Sequence, residues 1–182
     1  ENPCRAMTQD VARGGTASVH VVVRDVKAGD ALRLSLREKG RAVRSAKWFR
    51  LLDVPVEVNT GLDGFLEKEG QRNDFVARRA PFRVYDAMEP VGSSVVATAP
   101  MQVFRLHVPV PPDARVGTRE YVLSVASEEL SFKVMVHKSV IPPTGSESLP
   151  YTNWFSFGNM AERHGLKPWT EAHWRMRSEE HT

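Results

Sequence analysis

The sequence predicts an all-β fold, an immunoglobulin-like β-sandwich occupying residues 1–145. Three observations point there. Short runs of alternating or β-branched apolar residues recur through the first two-thirds of the 182 residues. Turn chemistry separates them, with twelve prolines and twelve glycines scattered rather than clustered. No stretch before residue 158 carries a helical period. A hydrophobic fraction of 41% leaves enough apolar surface for a genuine core.

The strands follow in order. Ser18-Val-His-Val-Val-Val-Arg24 and Leu32-Arg-Leu-Ser-Leu-Arg37 flank the turn Lys27-Ala-Gly-Asp30. Trp48 to Leu52 and Val54 to Val58 come next, and Pro55 marks an edge or a bulge because it cannot donate to a ladder. Phe82-Arg-Val-Tyr85 alternates briefly. Val103-Phe-Arg-Leu-His-Val-Pro-Val110 alternates most clearly, and Pro111-Pro-Asp-Ala-Arg-Val-Gly117 turns the chain. Tyr121–Val125 and Leu130–Val136 then flank a tight hairpin at Ala126-Ser-Glu-Glu129. Period-two spacing places Val21, Val23, Leu32, Leu34, Leu36, Val84, Phe104, Leu106, Val122, Val125, Phe132, Val134 and Val136 inside, with a one-residue slip possible at Pro55 or Pro109.

Pro142-Pro-Thr-Gly-Ser-Glu-Ser148 is a linker by composition. Beyond it, Leu149–Phe157 reads as a strand and Asn159–His164 as a helical turn closed by Gly165. Thr170 is the N-cap of a fresh helix, with Glu171 complementing its dipole. Strand, loop and helix are how a β/α domain begins. Residues 146–176 are therefore expected to be a linker and the incomplete start of a β/α (TIM-type) barrel, since one strand and one helix cannot bury their own faces. The last six residues, Arg177-Ser-Glu-Glu-His-Thr182, equal the translation of a sequencing adapter beginning AGATCGGAAGAGCACACG. Residues 177–182 are expected to be an artefact derived from it.

Several chemistries are excluded or disfavoured. The net charge of +3 is small, and bases alternate with acids, so no nucleic-acid footprint is visible. The single cysteine, Cys4, forbids an internal disulfide. No apolar run approaches the ~20 residues of a membrane span. None of the six histidines forms a His-x-x-x-His pair or lies near Cys4 at metal-ligand spacing, so neither a metal nor another cofactor is implied; His20, His107 and His137 read as strand positions at a sheet face. There is no Gly-x-Ser-x-Gly elbow, and Gly14-Gly15 is too short to cradle a phosphate. Trp48 and Phe49 offer a sugar-stacking platform or, within a run rich in Leu and Val, simple burial. Asn153 and Trp154 lie toward the C-terminal half of the expected first barrel strand, where barrel sites gather. They are candidate sugar-lining residues, with core packing the competing fate of Trp154.

Leu52-Asp-Val-Pro-Val-Glu-Val-Asn-Thr-Gly61, Phe82-Arg-Val-Tyr-Asp-Ala-Met-Glu-Pro90 and Val108-Pro-Val-Pro-Pro-Asp-Ala-Arg-Val-Gly117 resemble the N-terminal sandwich of glycoside hydrolase family 123. Leu149-Pro-Tyr-Thr-Asn-Trp-Phe155 and Gly165-Leu-Lys-Pro-Trp-Thr-Glu-Ala-His-Trp174 resemble the opening of that family's catalytic barrel. The resemblance implies a β-N-acetylgalactosaminidase-like parent working by a retaining, substrate-assisted mechanism. There the substrate's acetamido oxygen attacks the anomeric carbon, while an adjacent Asp-Glu pair on a later barrel strand steadies the amide and protonates the leaving group. This chain contains no Asp-Glu dipeptide; its tandem acids are Glu128-Glu129 and Glu179-Glu180. No catalytic residue is expected in it. The resemblance makes the chain a non-catalytic accessory domain whose partner, carbohydrate, would be met through the barrel. A secreted, periplasmic or cell-surface location is expected. The alternatives are a free-standing carbohydrate-binding or adhesion sandwich and a purely structural immunoglobulin-like module.

Overall fold

A computed structural model describes residues 7–142 and 156–180. The chain divides into two compact units, Glu1–Ile141 and Pro142–Thr182.

The first unit carries ten strands in two sheets: β1 (Met7–Arg13), β2 (Thr16–Val23), β3 (Ala31–Glu38), β4 (Arg41–Ala42), β5 (Lys47–Val56), β6 (Phe82–Val91), β7 (Ser94–Val96), β8 (Gln102–Pro109), β9 (Gly117–Val125) and β10 (Glu128–Val140). One sheet runs β1-β10-β9-β3-β4, with β7 also pairing β3; the other runs β2-β8-β5-β6. The all-β expectation holds. Phe104, Leu106 and Val108 of one sheet and Val134, Val136 and Leu123 of the other are almost wholly buried in one shared core. Tyr121 stacks on its cross-strand partner Phe132, ring centroids 5.3 Å apart.

Three strands of the sandwich, β1, β4 and β7, are absent from the sequence expectation. β1, Met-Thr-Gln-Asp-Val-Ala-Arg, has no β-branched run to advertise it, yet it pairs parallel with β10 from Met7↔Phe132 onward. Its pairing is set by β10 and by Gln9, whose side-chain amide donates to the Ser18 carbonyl and accepts from the Ser18 N–H on β2. Between them Gly14 and Gly15 carry the chain from one sheet to the other. Gly14 sits at φ +78°, and a Cβ there would stand 2.5 Å from the Ile141 carbonyl oxygen, so only glycine fits. Its N–H donates to Val110 O at 2.9 Å, and Val110 N–H donates to Gly15 O at 2.8 Å.

Two expected core positions are corrected. On β9 the inward residues are Tyr121, Leu123 and Val125, so Val122 is only half-buried. Val122 and Val125 have opposite parity, and an unbroken strand offers the core one parity. Val84 is 41% exposed because it pairs with Val54 beyond the bulge at Leu52/Asp53, where β5 has β6 as a neighbour but no longer β8. The same bulge accounts for Pro55: it lies in a two-stranded ribbon, in one strand that ends at Val56 rather than a separate one from Val54 to Val58.

In the second unit α1 (Phe157–Arg163) starts at Ser156, whose hydroxyl accepts from Asn159 N–H at 3.4 Å. It ends at His164, followed by Gly165 at φ +64°, with Leu166 N–H donating to Ala161 O at 2.8 Å. α2 (Glu171–Glu180) is capped by Thr170, which accepts from His173 N–H at 3.4 Å; Glu171 occupies its first turn. Phe157 opens a helix, so the expected strand Leu149–Phe157 does not reach it. The rest of that segment, with most of the linker, Asn153, Trp154 and Cys4, lies outside the described residues. The described part of this unit is two short helices, and a barrel start is not among its features.

Candidate functional site

The sandwich's most distinctive feature is the connection between β5 and β6, residues 57–81, which stands at the end of the ribbon arm. Such a long connection without a strand or helix of its own is unusual in a compact domain and is commonly functional. It is ordered by one carboxylate. Glu67 accepts from Arg79 Nη2 at 2.6 and 2.8 Å, from Asn73 N–H at 2.7 Å and from Asn59 Nδ2 at 2.8 Å. Asn73 donates to Thr60 O at 2.9 Å, and Asn59 Oδ1 accepts from Ala80 N–H at 2.8 Å, so both ends of the loop are tied to the same knot. The Arg79 guanidinium first, then the Asn73 N–H and the Asn59 amide, hold Glu67 at about 2, far below the ordinary 4.5. Nothing in the sequence marks Glu67: its ligands lie 6 to 12 residues away, at no recurring spacing.

The knot holds the backbone while the apolar side chains turn outward. Phe75 is 90% exposed and Phe65 76%, with Leu62 and Leu66 similarly open. Four exposed large apolar side chains on one loop are a candidate interaction surface. The ribbon beneath is pinned by Arg83, which bonds both the Asp53 carboxylate and the Asp53 carbonyl, and this bond is the main reason the Asp53 carboxyl titrates below its usual range.

The outer faces of the two sheets differ in character. On the β1-β10-β9-β3 side several outward residues pair through polar side chains: Lys133 with Glu120 at 3.1 Å, His137 with Asp10 at 2.6 Å, and Arg37 with Glu129. On the β2-β8-β5-β6 side, cross-strand pairing aligns Val22, Val103, Leu51 and Met88 in an apolar row beside His20, Arg105, Phe49 and Pro90. Leu51 and Val103 are buried although they point away from the core. His107 lies here with its ring 4.9 Å from Phe49, and burial, then the charges of Arg105 and Lys47, lowers its pKa. His20, His107 and His137 all take outward sheet positions, as alternation implies.

Trp48 and Phe49 do not form a platform. Adjacent strand residues face opposite ways, so Trp48 is buried in the core and Phe49 is half-buried on the outer face. Trp48 does line a cleft of about 610 Å³ between β3–β4 and β5–β6, with Val43, Ala46, Pro90, Val91 and Lys47. Glu129, one of the tandem acids, is engaged by Arg37 and by the Ser124 hydroxyl at 3.2 Å, which is a structural role. Among the described residues no cluster of His, Cys, Asp and Glu is arranged to hold a metal ion. No described helix is long and apolar enough to cross a membrane.

No protein-family model and no curated protein matches the chain. In fold it is similar to a family 123 glycoside hydrolase from Clostridium perfringens, whose structure was analysed for glycolipid glycan hydrolysis. The TM-score is 0.51 and the identity 12%, with 76% of this chain matched to 24% of that one. The likeness establishes a distant relationship of fold. The matched part is about a quarter of the hydrolase.

Proposed function

We propose that this chain is a non-catalytic accessory β-sandwich of a family 123-like glycoside hydrolase, and that residues 146–176 lead into its catalytic β/α barrel. The observation that carries this reading is the match in fold of 76% of this chain to 24% of a much longer hydrolase of that family. Placement of the resembling residues supports it. Leu52–Gly61 and Phe82–Pro90 build the ribbon arm and the start of its loop, and Val108–Gly117 forms the turn between β8 and β9. The parent would cleave N-acetylgalactosaminides, with Asn153 and Trp154 near the sugar. The sandwich would hold the barrel rather than touch the reacting bond, and its apolar arm tip fits a contact with a neighbouring domain. Secretion or surface location belongs to the same proposal.

Two measurements test it. The purified chain is expected to leave an aryl N-acetyl-β-galactosaminide intact, because catalysis in this family needs an adjacent Asp-Glu pair. Turnover that survives rigorous purification would overturn the non-catalytic role. Residues 1–145 alone are expected to unfold cooperatively, within ~8 °C of the full chain. An unfolded or much less stable fragment would show that the boundary is misplaced. Tight binding of neutral oligosaccharides by the isolated sandwich would favour the free-standing carbohydrate-binding module instead.

A further inference from the structure

We infer that the groove between the β3–β4 hairpin and the start of β9 binds an acidic polysaccharide, one carrying sulfate or carboxylate groups along its length. The groove has a volume of about 1020 Å³ and is lined by five cations, Lys39, Arg41, Arg44, Arg115 and Arg119, against the single acid Glu38. Overall the chain is almost balanced, at +3, so this local excess is a feature of the fold and not of composition. Elsewhere seven exposed bases, Arg37, Lys68, Arg72, Arg79, Arg83, Lys133 and Arg175, have acidic partners. Among the described residues none of the five groove cations has an ion pair.

Backbone geometry puts the charges there. Lys39 and Gly40 both have positive φ, 49° and 76°, in a two-residue hairpin that pairs Glu38 with Arg41. A lysine in the left-handed region is disfavoured where asparagine or glycine would sit easily. The turn nevertheless presents a cation at its tip. On the opposite wall Arg119 is half-buried near Tyr121, while Arg115 is exposed. Four of the five cations are arginines, whose planar forks match carboxylate and sulfate oxygens two at a time. Ser45 and Thr118 add hydroxyls to the wall.

A nucleic acid fits this groove less well. No aromatic side chain lines it, so bases have nothing to stack on, and no helix projects from it to enter a duplex groove. An acidic polysaccharide needs neither; it needs spaced cations, hydroxyls and an open trough. The inference is independent of the accessory-domain proposal, since a free-standing module would carry the same groove.

The test is titration of the full chain with a heparin octasaccharide at physiological ionic strength, beside single-stranded DNA of equal charge. The saccharide is expected to bind and to weaken steeply with added salt. Arg41→Ser, Arg44→Ser and Arg115→Ser combined are expected to weaken it about tenfold or more. The same three positions changed to lysine, which keep the charge and lose the fork, are expected to lose a smaller, several-fold part. Arg24→Ser, Lys27→Ser and Arg33→Ser, an equal loss of charge outside the groove, are expected to cost under about twofold. Thermal melts check that each variant folds, and the lysine series carries the comparison should the serine triple not fold. Absence of saccharide binding, equal losses from the two serine triples, lysine variants as tight as the parent, or tighter binding of DNA would each overturn the inference.

Discussion

Phe104→Ala is expected to destabilise the sandwich by about 3–5 kcal/mol, a large part of the ~5–15 kcal/mol that holds a domain of this size. Phe104 has no exposed surface and sits mid-strand on β8, which is hydrogen-bonded on both sides, to β2 and β5. Truncation would leave a cavity between two hydrogen-bonded sheets that cannot close upon it, so both the transfer and the cavity contributions are lost. Urea unfolding should show a lower midpoint at unchanged slope, and the melting temperature should fall by roughly 10–20 °C. Val84→Ala makes the contrast. Period-two spacing places Val84 in the core, whereas the structure leaves it 41% exposed on the ribbon, so its loss should cost less than ~1 kcal/mol. Equal costs at the two sites would mean that the ribbon packs against something the sandwich description lacks.

Glu67→Ala is expected to release the 57–81 loop while leaving the sandwich folded. Three donors, Arg79, the Asn73 N–H and the Asn59 amide, lose their common acceptor together, so the loop loses its organising centre in one step. Trypsin should cut at Lys68, Arg72 or Arg78 roughly tenfold faster or more, with the global melting transition nearly unmoved. Acid should do the same to the parent protein. The carboxyl is depressed to about 2 in the folded chain from 4.5, so its contribution is complete above pH 4.5. It drains away as pH falls toward 2. Carbon-13 chemical shifts of the Glu67 carboxyl read the midpoint directly. A value near 4.5, or loop proteolysis indifferent to the substitution, would contradict the knot.

What each level of description contributes is clearest at particular residues. Alternation alone places Leu32, Leu34, Leu36, Phe104, Leu106, Phe132, Val134 and Val136 inside, and all eight are buried. Side chains in a strand alternate by geometry, so a period-two string of apolar residues on a fully paired strand has one way to be buried. Cap chemistry is equally local: Thr170 and Ser156 need only an N–H two or three residues away. By contrast, β1 has no signal of its own and exists because β10 offers it an edge. Val84 alternates like a core residue yet is open, because its strand outruns the sheet behind it. The Glu67 knot and the basic groove join residues from separate segments, and neither spacing nor composition encodes such meetings. Inward parity along a fully paired strand is a property of neighbouring residues, and at these eight positions the sequence determined it. Which strand lies at an edge, which loop finds a common anchor and which cations share a trough depend on long-range pairing, and only the tertiary structure decided those.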